Sequence, residues 1–235
     1  MFFIAQGLDL SRFIQVFVVQ GLVGLFYLYI GYKIIRRETK GINFILSNFY
    51  FFVAIGAIIN IIYVNVFNET ITLFLHFITY YLFCLSLIFL LIFVLILLKS
   101  DNIITLKKQC AIFTIFAILL IVLWFIPDGI RLNDVSWKPE WSWSFFIYSI
   151  VICSSIAIGP TIYVSFKIYR SFQKDILKKK WKYFLIGIFG YFFLYYGTSL
   201  SNTLADPTFR LIWSIMSLPA LISIYFIYYG VAKQL

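Results

Sequence analysis

The run LSLIFLLIFVLILL, residues 85–98, carries one hydroxyl, Ser86, and otherwise only aliphatic and phenyl side chains. A β-barrel strand in lipid would alternate polar and apolar positions, so a run of this kind selects helices. Hydrocarbon offers no partner to backbone N–H and C=O groups, and a helix bundle is the remaining way for the chain to satisfy them internally. Composition excludes a soluble domain: 63% of residues are hydrophobic and 12% charged, with a mean hydropathy of +0.99, where soluble domains carry about a quarter charged residues. A spanning helix takes about 20 mostly apolar residues. Seven stretches qualify, near 13–35, 43–66, 70–98, 110–127, 143–167, 182–204 and 209–231. The expectation is one all-α, seven-helix transmembrane domain covering the whole chain.

Lysine and arginine are held on the cytoplasmic side during insertion. All but Arg12, Arg131, Lys138 and Arg210 of the 19 basic residues fall on one set of connections, around 33–40, 99–108, 167–182 and Lys233. The N-terminus is therefore expected outside and the C-terminus inside, in a multi-pass cell-membrane protein. The same bias accounts for the net charge of +10 without nucleic acid as a partner. Cys84, Cys110 and Cys153 lie in no outer loop, so no disulfide framework is implied. The start, MFFIAQGLDLSRF, has neither a basic n-region nor a small-residue cleavage site, and no removable signal peptide is expected.

One segment, PDGIRLNDVSWKPEWSWSFF (127–146), is far more polar than its surroundings. It joins the fourth and fifth spans on the outer face. Pro127 and Asp128-Gly129 stop the helix, and Pro139 stiffens the middle. Trp137, Trp141 and Trp143 suit the water–lipid boundary, as an interfacial anchor would. The length of the segment and its mixed charges suit a lid instead, carried by Arg131, Trp137, Glu140, Trp141 and Trp143. Both readings stand at this point.

Several seven-helix chemistries lack their residues. A retinal Schiff base needs a lysine in the middle of the last helix, which reads IWSIMSLPALISIYF. Metal and haem sites need clusters of His, Asp or Glu, and the chain has one histidine, His76. The acidic-Arg-aromatic and Asn-Pro-x-x-Tyr motifs of animal-type receptors are missing. So are the four helix prolines of three-plus-one-plus-three sugar transporters. No hydrolase or P-loop pattern occurs. The chain is expected to be a non-enzyme, with no metal and no cofactor.

What remains is a set of polar side chains gathered, by the orientation above, in the outer half of the bundle: Asn60 and Tyr63, His76 and Tyr80, Tyr195, Ser199 and Asn202, and Arg210, Trp213 and Ser217. Helical spacing puts each group on one face of its helix. Such residues also serve as glue between helices, at about 1 kcal/mol or less per hydrogen bond. Confinement to one leaflet points rather to a pocket beneath the segment 128–142. Gly159-Pro160 and Pro219 each remove a backbone hydrogen bond and make Pro160 and Pro219 candidate hinges. The inner segment KIYRSFQKDILKKKWKY is basic and amphipathic, suited to anionic headgroups. Asn68-Glu69-Thr70 matches a glycosylation sequon in a tight connection.

The run WKPEWSWSFFIYS ahead of the fifth span, in an N-out seven-helix layout, resembles the seven-transmembrane N-terminal sensor region of prokaryotic receptor histidine kinases. The resemblance implies a small-molecule or lipid stimulus in the outer half, relayed through the last helix to the cytoplasm, and the expected partner is a cytoplasmic signalling protein or a second copy in a homodimer. That pattern continues into a kinase, whereas this sequence ends at YYGVAKQL. The expectation is an orphan sensor or a piece of a longer receptor. Richness in Ile, Lys, Asn, Phe and Tyr points to an AT-rich prokaryotic genome. A small-solute transporter and a structural subunit of a membrane complex are the alternatives.

Overall fold

The computed structural model describes residues 12–37, 41–134 and 136–232. Among them, six helices are long and apolar enough to cross a membrane: α1 (Phe13–Ile35), α2 (Gly41–Tyr63), α3 (Glu69–Lys99), α4 (Leu106–Phe125), α5 (Trp143–Ser171) and α6 (Asp175–Leu204). They are followed by the shorter α7 (Pro207–Met216) and α8 (Ala220–Ile227), which winds on as a π turn over Tyr228–Ala232. Between α4 and α5 the chain forms an antiparallel hairpin of β1 (Ile130–Leu132) and β2 (Pro139–Trp141). The protein is a multi-pass helical membrane protein in architecture.

The most apolar sequence takes the middle. In α3, 67% of the apolar window is buried, against 17% in α4, so α3 is the central post and α4 stands at the rim facing outward. Around α3, hydroxyls and indoles stitch neighbouring helices together, as expected where lipid gives apolar faces no reason to associate. Tyr81 donates to the Ala117 carbonyl of α4 at 3.2 Å, the hydroxyls of Ser86 and Tyr191 of α6 hydrogen-bond at 2.6 Å, and Trp181 of α6 donates to the Ser165 carbonyl of α5 at 2.8 Å. Small residues let α6 and α8 approach closely. A side chain added at Gly187 would meet the Ile227 amide nitrogen and the Ser223 carbonyl, each at 2.7 Å, so only glycine lets these two backbones come together.

Helix ends follow local chemistry. The side chains of Asn68, Ser142 and Asp206 accept the amide protons of Ile71, Phe145 and Phe209 at the starts of α3, α5 and α7. Asn68, the sequon asparagine, is thus a helix cap. In α5, the ring of Pro160 supplies no N–H and crowds the carbonyl four residues back. The preceding turn, Cys153–Ile158, is wound as π helix, and α5 continues through it.

The elements differ from the sequence expectation in three places. The basic stretch 167–182 is almost entirely helical: α5 runs to Ser171 and α6 starts at Asp175. Lysine-rich turns are good helix formers, so a hydropathy boundary marks where apolar sequence stops and not where the helix does. The segment 128–142, expected as a loop, is the hairpin, with register Ile130 to Trp141 and Leu132 to Pro139. The last stretch, 209–231, is not one helix. It breaks over 217–219, where Pro219 cannot continue the ladder, and Ser214 and Ser217 bond back to the carbonyls of Arg210 and Ser214.

Candidate functional site

The hairpin is seated on the bundle through side chains from four separate places. Trp137 donates its indole N–H to the Val66 carbonyl between α2 and α3 at 3.3 Å. Arg12, just before α1, reaches the Ser136 carbonyl at 3.5 Å, and Arg210 of α7 donates to the Pro139 carbonyl at 3.0 Å. Trp141 donates to Nε2 of His76 in α3 at 2.9 Å. Trp137 pays a backbone cost for its position: its φ of +52° is a left-handed conformation that bulky side chains rarely take.

The bond from Trp141 fixes the state of His76. An indole N–H can only donate, so Nε2 is the acceptor and the neutral ring carries its proton on Nδ1. Nδ1 is 2.9 Å from the Tyr63 hydroxyl, to which it donates. Both ring nitrogens are therefore engaged in a buried chain running Trp141, His76, Tyr63, and His76 holds β2 against α3.

Beneath β2 lies a cavity of about 80 Å³. Pro139 and Trp141 roof it, with Asn60 and Tyr63 from α2, His76, Thr79 and Tyr80 from α3, and Asn202 from α6 on its walls. Three cations line it from three elements: Arg12, Lys138 and Arg210, which are 6%, 8% and 7% exposed. Two polar atoms of residues that line it, Asn60 Oδ1 and Thr79 Oγ1, are fully enclosed by protein and make no hydrogen bond.

A second cavity of about 110 Å³ continues further into the bundle. The two share Gln15, Gln20, Tyr80, Phe83 and Thr198 as a common wall. The deeper one is bounded by Val19, Val23, Val53, Leu194 and Ile224. Tyr27 lines it too, and most of its other hydroxyls are engaged: Tyr195 with Ser149 at 2.8 Å and with Tyr80, Tyr191 with Ser86, and Ser199 and Ser217 with carbonyls of their own helices. Tyr80 also bonds Ser149, so these hydroxyls form a closed knot of α3, α5 and α6 at the cavity floor.

The sequence-picked residues separate accordingly. Asn60, Tyr63, His76, Tyr80, Asn202 and Arg210 line the first cavity, and Tyr80, Tyr195, Ser199 and Ser217 the second. Trp213 lines neither. Its ring packs against Gly197 in a shallow apolar groove between α6 and α7, and its N–H donates to Thr198 Oγ1 at 3.1 Å, orienting that wall residue from behind. Of the five residues expected to form the lid, only Trp141 lines the cavity. Arg131 is exposed and pairs with Asp128 at 2.6 Å, Glu140 accepts from Asn133, and Trp143 is 56% exposed at the rim. The hinge positions are unequal: Pro160 lies within the unbroken α5, while Pro219 stands at a true break and is exposed. Arg12, Gln15, Gln20, Thr79, Lys138 and Thr198 line the cavity without having been singled out. Arg12 and the two glutamines adjoin or sit in a span whose apolar face conceals them, and the place of Lys138 and Thr198 depends on which elements are neighbours.

No family model, curated protein or solved structure matches this chain.

Proposed function

We propose that this chain is a seven-span membrane sensor that binds a small molecule or lipid in the two-chambered cavity beneath the hairpin. α7 and α8 together form the seventh crossing. The basic end, with Lys33, Arg36, Lys107 and Lys178, faces the cytoplasm and anionic headgroups. The hairpin faces outward. The observation that carries the reading is the double engagement of Arg210, which lines the cavity and also holds the Pro139 carbonyl of the hairpin. A ligand that competes for Arg210 changes how α7 is tied to the roof. The break at 217–219 lets α7 shift while α8 stays packed on α6. On the resemblance to histidine-kinase sensor regions, α8 is the output and a cytoplasmic signalling protein or a second copy is the listener.

A carrier needs a path to the other face. Below the cavities the bundle is filled by Ile34, Leu46, Phe93 and Phe184, none more than 1% exposed, which favours the sensor. The test is native mass spectrometry of the full chain extracted from membranes in a mild detergent. The wild-type protein should carry a small-molecule or lipid occupant that Asn202→Phe, which fills the first chamber, removes. An empty wild-type protein that also yields solute uptake in proteoliposomes would replace the sensor with the carrier.

A further inference from the structure

We infer that the ligand is a neutral single-chain amphiphile whose head carries hydroxyl groups, the chemistry of a short-chain monoacylglycerol; this rests on the binding reading above and specifies it. The groups that a ligand can reach decide its polarity. Arg12, Lys138 and Arg210 are engaged within the protein, Arg12 with the Ser136 carbonyl and Arg210 with that of Pro139. Asn60 Oδ1 and Thr79 Oγ1 are enclosed. Four uncharged side chains on the cavity wall, all partly exposed, keep hydrogen-bonding capacity. Gln15 of α1 and Asn202 of α6 make no hydrogen bond among the described residues. Gln20 accepts from Asn60 through its oxygen, which leaves its NH2 group. Thr198 accepts from the Trp213 indole, which leaves its own proton.

Gln15, Gln20 and Thr198 stand where the two chambers meet, and Asn202 lines the chamber under the hairpin. Between them they offer the carbonyl oxygens of Gln15 and Asn202 as acceptors, and N–H and O–H protons from all four. A carboxylate can only accept here, and would leave both carbonyl oxygens without a donor. An ammonium can only donate, and would leave the protons without an acceptor. Either charge would also leave water for a site whose own cations are already engaged. A hydroxyl donates and accepts through one atom, so a pair of hydroxyls can serve the α1 and α6 walls together. Beyond this level the second chamber runs between Val19, Val23, Val53, Leu194 and Ile224 to Tyr27. Of its hydroxyls only that of Tyr27 makes no hydrogen bond among the described residues. Such walls suit an alkyl chain. A cavity of roughly 150 Å³ holds one benzene, so about 110 Å³ admits one short chain and not the two of a diacyl lipid.

The experiment measures retention of tritiated 1-hexanoylglycerol by the full chain in phosphatidylcholine nanodiscs, over that of nanodiscs without protein. Retention should be saturable. Methyl hexanoate, which keeps the ester and the chain but has no hydroxyl, should bind about tenfold more weakly or worse. Hexanoate and 1,2-dihexanoylglycerol should compete as poorly. Gln15→Leu and Asn202→Leu take no hydrogen bond from the protein. Each should weaken 1-hexanoylglycerol about three- to tenfold and leave tritiated methyl hexanoate unchanged, which shows the fold intact, the second variant deciding should one not fold. Binding of hexanoate as tight as that of 1-hexanoylglycerol, or tighter, overturns the neutral head. Equal binding of methyl hexanoate, or an affinity for 1-hexanoylglycerol that both variants leave unchanged, overturns the hydroxyls. Equal binding of 1,2-dihexanoylglycerol overturns the single chain. The binding site itself survives each of these results. Retention of none of the compounds overturns the ligand assignment and, together with a wild-type protein that carries no occupant in native mass spectrometry, the binding reading as well.

Discussion

His76 shows how one buried residue can tie two elements together. A lone histidine inside a membrane is a functional candidate by default, yet here its acceptor nitrogen takes the Trp141 proton and its donor nitrogen serves Tyr63. Replacing it by phenylalanine keeps the ring but leaves the Trp141 N–H and the Tyr63 hydroxyl buried without that partner. His76→Phe should lower stability by about 2–3 kcal/mol in SDS-driven unfolding and shift the Trp141 emission as the hairpin loosens. At Ala205, past the end of α6, φ is +55°, a conformation that glycine takes without the Cβ penalty. Ala205→Gly should raise stability by about 0.5–1 kcal/mol in the same assay. Sequence spacing was enough to gather Asn60, His76, Tyr80 and Asn202, because helical periodicity fixes which side chains share a face. It could not find Thr198 or Lys138, since their place in the cavity depends on which helices are neighbours, and spacing along one helix is silent on that.

Among the elements, the α6–α8 contact is the most demanding in shape. Gly187 and Gly190 of α6 meet Ser223 and Ile227 of α8, and Gly230 returns the fit against the Phe184 amide. Gly187→Leu has no room that a rotamer change would supply, because the obstacles are backbone atoms. It should cost about 3 kcal/mol and release α8, detectable as faster amide exchange over 222–231 with α3 unchanged. The contrast between elements also explains what the sequence withheld. Hydropathy located α1 to α6 well, as lipid demands apolar length. The lysine-rich start of α6 and the break at Pro219 are matters of backbone geometry, to which a hydropathy profile is blind, and the hairpin depends on cross-chain bonds from Arg12, Val66 and Arg210 that lie far away in sequence.

At the scale of the whole molecule, the packing is asymmetric along the bundle. The hairpin end holds the two cavities described above, while the core toward the basic end is close-packed around Ile34, Leu46, Ile88, Phe93 and Phe184. On the sensor proposal a ligand enters at one end and helix contacts change at the other, without a continuous passage between them. Cysteine accessibility separates this from a carrier. In the Cys110→Ser background, Cys at Asn202 should react with a membrane-impermeant maleimide added on the hairpin side. Cys at Ile88, fully buried in the filled half, should react from neither side. An alternating-access protein must open its filled half to the opposite compartment during its cycle. Labelling of Cys at Ile88 from the basic side would therefore show that the packed core opens, and a sensor with a sealed base would have to give way to a transporter.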